Sequence, residues 1–129
     1  MNLLLDTNAF LWWYVGDRKL GARARKAIER RRTAVSVVAA LEIAIKWQRG
    51  TLALARAPHE WFADVVARSR FDVIDLRVNH ALGVALLPQH HADPFDRLLI
   101  AQAHAEGLTI VTADAAFEAY DVQLLDARA

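Results

Sequence analysis

Apolar positions in this chain fall into short unbroken runs that alternate with longer stretches of helical period. Leu3-Leu4-Leu5 reads as a short buried strand ended by Asp6, and Thr7-Asn8 opens a helix carrying Phe10, Leu11, Trp12 and Trp13. A basic helix is predicted over about 20–31, then a second strand over 33–37. The stretch 38–49 is helical in period and apolar nearly all round, closed by Gly50, so it is expected to be well buried. Pro58 starts another helix to about 68, with Trp61, Phe62, Val65 and Val66 inward. A third strand is predicted over 71–76 and a short helix over 79–87, ended by Pro88. Residues 108–112, Leu-Thr-Ile-Val-Thr, form the clearest strand. A short helix over 115–120 and a last strand near 122–125 follow. Strands that alternate with helices argue for a parallel sheet covered on both faces. Such a sheet places its ligands at the carboxyl ends of the strands.

One stretch stands out from this pattern, His91-Ala92-Asp93-Pro94-Phe95-Asp96-Arg97-Leu98-Leu99-Ile100-Ala101-Gln102-Ala103. Asp93 suits an N-cap and Pro94 the first helical position; the helix runs to about Glu106 and stops at Gly107. Asp96 shares a stripe with Ile100 and Ala103, so a carboxylate is aimed along the buried side. Two explanations stand: Asp96 complements the helix dipole beside the Asp93 cap, or it serves a site.

The chain has 129 residues, the size of one domain with a proper core, and no cysteine. Disulfides, a thiolate nucleophile and a cysteine zinc site are thereby excluded. The composition fits a reduced, cytoplasmic setting. The three leucines near the N-terminus are too short for a signal-peptide core. No apolar run is long enough to span a bilayer. Formal net charge is only +1, but the basic residues cluster. Between 18 and 32 stand Arg18, Lys19, Arg23, Arg25, Lys26, Arg30, Arg31 and Arg32, with Glu29 the only acid. Lys19, Arg23, Lys26 and Arg30 are expected on one stripe, opposite Leu20, Ala24, Ala27 and Ile28. That stripe is either a solvated helix face or a phosphate-binding surface.

The acids give the second alternative a partner. Asp6 ends the first strand, Asp114 follows the strand over 108–112, Asp96 opens the helix feeding that strand, and Glu42 lies in the helix after strand two. Each has a local alternative: Asp6 and Asp114 can cap the helices after them, and Glu42 can pair with Lys46 at i,i+4. Together they suggest a cation site. Two carboxylates 4 Å apart repel by roughly 4 kcal/mol at an effective dielectric near 20. An all-oxygen set suits a hard ion, Mg²⁺ or Mn²⁺, which keeps positions open for phosphate oxygens. The chemistry such a set supports is metal-assisted hydrolysis of a polyanion.

Asp6-Thr7-Asn8, Leu41-Glu42-Ile43-Ala44-Ile45-Lys46, the run from Asp93 to Ala103, and Thr112-Ala113-Asp114 resemble the PIN-domain nucleases, and more narrowly the VapC toxins of bacterial type II toxin–antitoxin pairs. The resemblance covers the whole chain in order, and implies a single PIN-like nuclease domain over 1–129. The implied fold is a three-layer α/β/α arrangement around a five-stranded parallel sheet of order 3-2-1-4-5. It implies an Mg²⁺ or Mn²⁺ site of Asp6, Glu42, Asp96 and Asp114, with Thr7, Asn8, Ser36, Asp93 and Thr112 supporting those carboxylates. The implied activity is endonucleolytic cleavage of RNA by a toxin. Implied partners are the RNA substrate, a cognate antitoxin that inserts a peptide near the acidic pocket, and a second copy in a homodimer; no membrane is involved.

Other classes fit the residues less well. His59, His80, His90, His91 and His104 have no metal-ligand spacing, which leaves His91 at most a place at the pocket mouth. Trp47 and Trp61 are expected in the core, whereas Trp12 and Trp13 cannot both face it from one helix. A receiver-like signalling domain wants a paired acid at strand one and a lysine after the last strand. Asp6-Thr7 and the lysine-free C-terminal third argue against it. A housekeeping RNA-processing nuclease and a non-catalytic antitoxin- or nucleic-acid-binding regulatory domain remain as alternatives.

Overall fold

The computed structural model describes residues 2–129. Five short parallel strands form one sheet: β1 (Leu3–Leu5), β2 (Thr33–Ser36), β3 (Asp72–Ile74), β4 (Thr109–Thr112) and β5 (Leu124–Asp126). Their order is β3-β2-β1-β4-β5, as expected, so the chain reverses its direction of travel across the sheet between β1 and β4. In register, Leu3, Leu4 and Leu5 face Thr33, Ala34 and Val35 on one side and Thr109, Ile110 and Val111 on the other.

Helices cover both faces of this sheet, which explains why β1 is apolar throughout instead of alternating. Leu3, Leu5, Val35 and Val111 pack with Phe10, Ile28, Trp61 and Val65 from α1 (Thr7–Val15), α2 (Ala22–Arg30) and α4 (Pro58–Ser69). Leu4, Ala34 and Ile110 point to the other face, against Leu99, Ile100 and Ala103 of α6 (Pro94–Glu106). The remaining helices are α3 (Val37–Gln48) and α5 (Val78–Gly83). The helix expected over 79–87 is α5 continued by a 3-10 turn at Val84–Leu86, and a 3-10 turn at Ala115–Ala119 stands where a helix was expected over 115–120.

Three sequence expectations need correction. The basic helix starts at Ala22, so Lys19 is not on its stripe. It lies in the preceding turn, with Nζ 5.9 Å from the centre of the Trp12 ring. Gly21 caps that helix without a side chain, and the early break follows from what packs there. Second, α3 is not well buried: Val37, Leu41 and Trp47 are exposed, Leu41 by 52%. Periodicity shows that a helix is apolar but not how many sides find a neighbour. Here Ala39 and Ile43 meet the core, and the opposite side is open. Trp47 therefore leaves the core, whereas Trp61 is buried against Phe10 and Tyr14 as expected. Third, the last strand starts two residues later than expected and ends one later, at Leu124–Asp126. Trp12 and Trp13 are both half-buried; Trp13 packs on Phe71 and donates to Ser69 Oγ at 3.0 Å.

The C-terminal segment closes the first turn of α2. Gly21 N donates to Ala127 O at 2.9 Å, and Arg23 N and Ala24 N donate to Ala129 O at 3.1 and 3.2 Å. These bonds satisfy donors that a helix start leaves open. They require the two backbones to meet closely: a Cβ at position 21 would lie 1.9 Å from Ala129 O. Gly21→Ala is therefore expected to lower stability by about 1–3 kcal/mol, the usual range for overpacking. At Gly83 a Cβ would meet Ala101 Cβ at an ordinary 3.6 Å, so Gly83→Ala is expected to be neutral or slightly stabilising. Thermal unfolding of the two variants side by side checks both outcomes.

Candidate active site

The carboxyl ends of β1 and β4 are adjacent, and each ends in an acid held by its own backbone. Asp6 is the N-cap of α1, its Oδ1 accepting from Ala9 N at 2.8 Å. Its Oδ2 accepts from Thr112 Oγ1 at 2.5 Å, and that hydroxyl oxygen in turn accepts from Asp114 N at 3.0 Å. Thr112 thus fastens the end of β4 to the carboxylate that ends β1. Asp114 caps the following 3-10 turn through Ala116 N at 2.9 Å and stays exposed. Capping and site placement are therefore compatible for both acids. A cap uses one carboxylate oxygen and fixes where the other points.

Burial and like charge act on Asp6 together. Only 6% of the residue is exposed, and desolvation pushes its pKa above the ordinary carboxylate value. The Thr112 and Ala9 bonds pull in the opposite direction, and the charges of Asp114 and Glu42 push it up further. Glu42 arrives from α3. Its Oε1 accepts from Thr7 Oγ1 at 2.6 Å and its Oε2 pairs with Lys46 Nζ at 2.9 Å. The Lys46 pair and the position near Asp6 again coexist.

Asp96 approaches from the N-terminus of α6. Asp93 caps that helix, its Oδ1 accepting from Phe95 N at 2.8 Å and Asp96 N at 3.3 Å. Asp96 is half-buried, and its Oδ2 meets His91 Nε2 at 2.8 Å. Desolvation raises its pKa from 3.8 to about 6; His91 opposes the rise, while Asp93 and Glu42 add to it.

The structure does not bring the four predicted acids within reach of one compact donor set. Among the described residues, the set of metal-capable groups whose donor atoms lie within 4.8 Å of one another is His91, Asp93 and Asp96. Asp6, Asp114 and Glu42 stand outside that set; Glu42 acts on Asp96 by charge, whereas Asp114 acts on Asp6. Of the residues expected to support the carboxylates, Thr7 donates to Glu42 and Thr112 to Asp6. Asn8 is exposed. Ser36 caps α3 and donates to Gln102 Oε1 at 2.5 Å, facing a buried polar chain and none of the four acids. His91 is the residue that sequence spacing missed, because its partner Asp96 becomes a neighbour only when the 88–93 loop folds back over α6. A weak signal was present in its position two residues before the Asp93 cap.

Near Asp114 a cavity of about 400 Å³ is lined by Thr112, Glu118, Asp126 and Arg128. The Arg128 guanidinium lies 5.9 Å from the centre of the Trp12 ring, which Lys19 also approaches. On α2, Arg23, Lys26 and Arg30 are exposed while Ala24 and Ile28 are buried. Between α3 and α4 lies an apolar groove of about 640 Å³, lined by Val37, Leu41, Ala44, Pro58 and Phe62 among others.

A family model described as PIN domain matches residues 3–123, and the chain belongs to that family. Its members are nucleases. The fold is similar to that in VapBC2 from Rickettsia felis, bound to a DNA fragment from its promoter. That likeness has 16% identity, covers 97% of this chain and 98% of that one, and has a TM-score of 0.71. It is also similar to DNA-bound VapBC from Salmonella typhimurium, at 20% identity, 98% coverage of each chain and a TM-score of 0.67. FitAcB from Neisseria gonorrhoeae gives 17% identity, 97% coverage of each chain and a TM-score of 0.69. At these identities the likeness is one of fold. No curated protein matches the chain in sequence.

The raised pKa of Asp96 has a consequence for stability. The folded chain holds this proton to about pH 6, whereas the unfolded chain loses it near 3.8. Between those values the folded state binds more protons, so stability falls as pH rises through the window. In chelator, the thermal midpoint is expected to decline across it, and Asp96→Asn is expected to flatten that decline and be the more stable protein at neutral pH.

Proposed function

We propose that the chain is an endoribonuclease dependent on Mg²⁺ or Mn²⁺ that acts as the toxin of a toxin–antitoxin pair, residues 1–129 working as one nuclease unit. The observation that supports this is electrostatic: Asp6, at the switch point between β1 and β4, is acted on by the charges of Asp114 and Glu42, and Glu42 acts on Asp96 as well. The switch point is where an open parallel sheet binds its ligand. Family membership supports nuclease chemistry.

A hard divalent cation fits these residues. The donors are carboxylate oxygens; burial raises Asp6 and Asp96 most and like charge adds to it, and a cation would offset both. Asp6, Asp96 and Asp114 would hold it, with Glu42 holding it or orienting the attacking water. Such an ion, when bound, lowers the pKa of water and neutralises charge on the phosphate. The chain's own part is positional. Thr112 keeps Asp6 against the end of β4, Thr7 holds Glu42 through Oε1, and Asp93 fixes the first turn of α6, which carries Asp96.

Arg23, Lys26 and Arg30 form a cationic face suited to the RNA backbone, and Lys19 and Arg128 on Trp12 extend the positive charge towards Asp114. The apolar α3–α4 groove, on the helix that carries Glu42, supports a peptide-binding partner such as an antitoxin. The structural neighbours named VapBC and FitAcB support that class of partner, and we propose a homodimer on the sequence resemblance alone.

Cleavage of a cellular RNA pool by the purified chain tests the activity. Discrete cuts are expected in Mg²⁺ or Mn²⁺, none in EDTA, and a loss of at least about 100-fold for Asp96→Asn and Asp6→Asn, matching several kcal/mol of charge stabilisation. Asp6→Asn is expected to stay folded, since asparagine caps a helix as well as aspartate does. Cuts that persist in EDTA and in both variants would overturn the proposal. Charge reversal of Arg23, Lys26 and Arg30 is expected to weaken RNA binding and flatten its salt dependence by roughly 0.7 in slope for each phosphate left unneutralised. Unchanged binding in a filter assay would remove that face from the substrate path.

A further inference from the structure

We infer that His91 is a nitrogen ligand, and that with Asp93 and Asp96 it forms a cation position selective for a borderline transition ion such as Mn²⁺ over Mg²⁺. The inference rests on the proposed metal chemistry of this site and adds a donor of a different kind. His91 Nε2, Asp93 and Asp96 offer atoms within 4.8 Å of one another. Around an octahedral ion with ligands at about 2.1 Å, neighbouring donors stand about 3 Å apart and opposite ones about 4 Å. The 2.8 Å between His91 Nε2 and Asp96 Oδ2 is close to such an edge. Asp93 spends Oδ1 on Phe95 N and Asp96 N, and its other oxygen has no hydrogen-bond partner among the described residues.

His91 is held in place independently of Asp96. Its backbone N donates to Tyr120 Oη at 2.9 Å. Arg97 Nη1 donates to Pro88 O at 2.9 Å, to His91 O at 3.4 Å and to Tyr120 Oη at 3.2 Å, and Nη2 donates to Val84 O at 3.1 Å. A single guanidinium therefore fastens the 84–91 segment to α6 and carries the imidazole to the helix start. Preorganisation of this kind is what a metal ligand on a loop needs. Without an ion the 2.8 Å contact is a hydrogen bond from Nε2–H to Asp96 Oδ2. An ion would replace that proton, leaving the imidazole protonated on Nδ1 with the Nε2 lone pair free to bind, and imidazole favours Mn²⁺ and later ions over Mg²⁺, which takes oxygen donors.

The test uses the full chain with Mn²⁺ alone, read by electron spin echo modulation and by calorimetric titration against Mg²⁺. Wild type is expected to show nitrogen modulation from a directly bound imidazole, retained in His90→Ala and lost in His91→Ala. His91→Ala is expected to weaken Mn²⁺ by about 10-fold or more and to leave Mg²⁺ nearly unchanged. His91→Gln can still donate to Asp96 but offers no imidazole nitrogen, so it is expected to lose the modulation and the preference for Mn²⁺ too. Two results would overturn the inference: bound Mn²⁺ without nitrogen modulation, or a Mn²⁺ preference that survives in His91→Gln. If Mn²⁺ binds to the Asp96 carboxylate, as shown by its loss in Asp96→Asn, only the role of His91 falls. If Mn²⁺ does not bind at all, the acidic metal site falls with it.

Discussion

Asp6 sets the condition that the rest of the structure must satisfy. A carboxylate ends the central strand, almost wholly buried and within range of two more negative charges. Left bare, such a group would oppose folding by several kcal/mol. The chain answers with two donors of different origin, the Ala9 amide that α1 leaves open and the Thr112 hydroxyl from the neighbouring strand. The second bond couples the site to the sheet. It forms only if β4 lies beside β1 in the observed register, with Leu5 opposite Val111.

The same economy recurs around the site. Asp93 and Asp114 are caps, Glu42 is half of an i,i+4 ion pair, and each is also placed near other acids by that local duty. Local and collective roles therefore do not compete. A helix cap is a means of aiming the second oxygen of a carboxylate at a fixed point. The cost is carboxylates that are desolvated and, to a lesser degree, repelled by one another, and the raised pKa values of Asp6 and Asp96 record both. A cation would remove this cost, and removal of the acids would as well. The proposed function and stability without a cation would thus oppose each other at the same residues.

The opposite end of the site depends on Arg97. Its guanidinium reaches three backbone carbonyls and the Tyr120 hydroxyl. A segment without regular structure between Pro88 and Asp93 thereby becomes a defined wall, and His91 gains a fixed address. By its place in the chain Arg97 is one more polar residue on a helix beside Asp96. Its contribution lies in ordering a loop that the helix itself does not touch by periodicity.

Much of the fold was legible in the order of residues. Apolar runs at Leu3–Leu5 and Thr109–Thr112, Pro94 and Gly107 at the ends of α6, and an acid after each central strand sufficed to predict a parallel sheet with a carboxyl-end crevice, while its strand order was implied by the family resemblance. These are local signals: strand length, helix ends and chain direction follow from neighbours within a few residues. Tertiary structure decided what depends on distant partners. It left one side of α3 and Trp47 exposed, because no element packs there. It broke the basic helix at Gly21, because the C-terminal backbone needs that space, and so moved Lys19 onto Trp12. It directed Ser36 to Gln102 and brought His91 to Asp96. Spacing along the chain can name the residues able to do chemistry. Which of them meet is settled by packing, since side chains far apart in sequence become neighbours only through the elements that carry them.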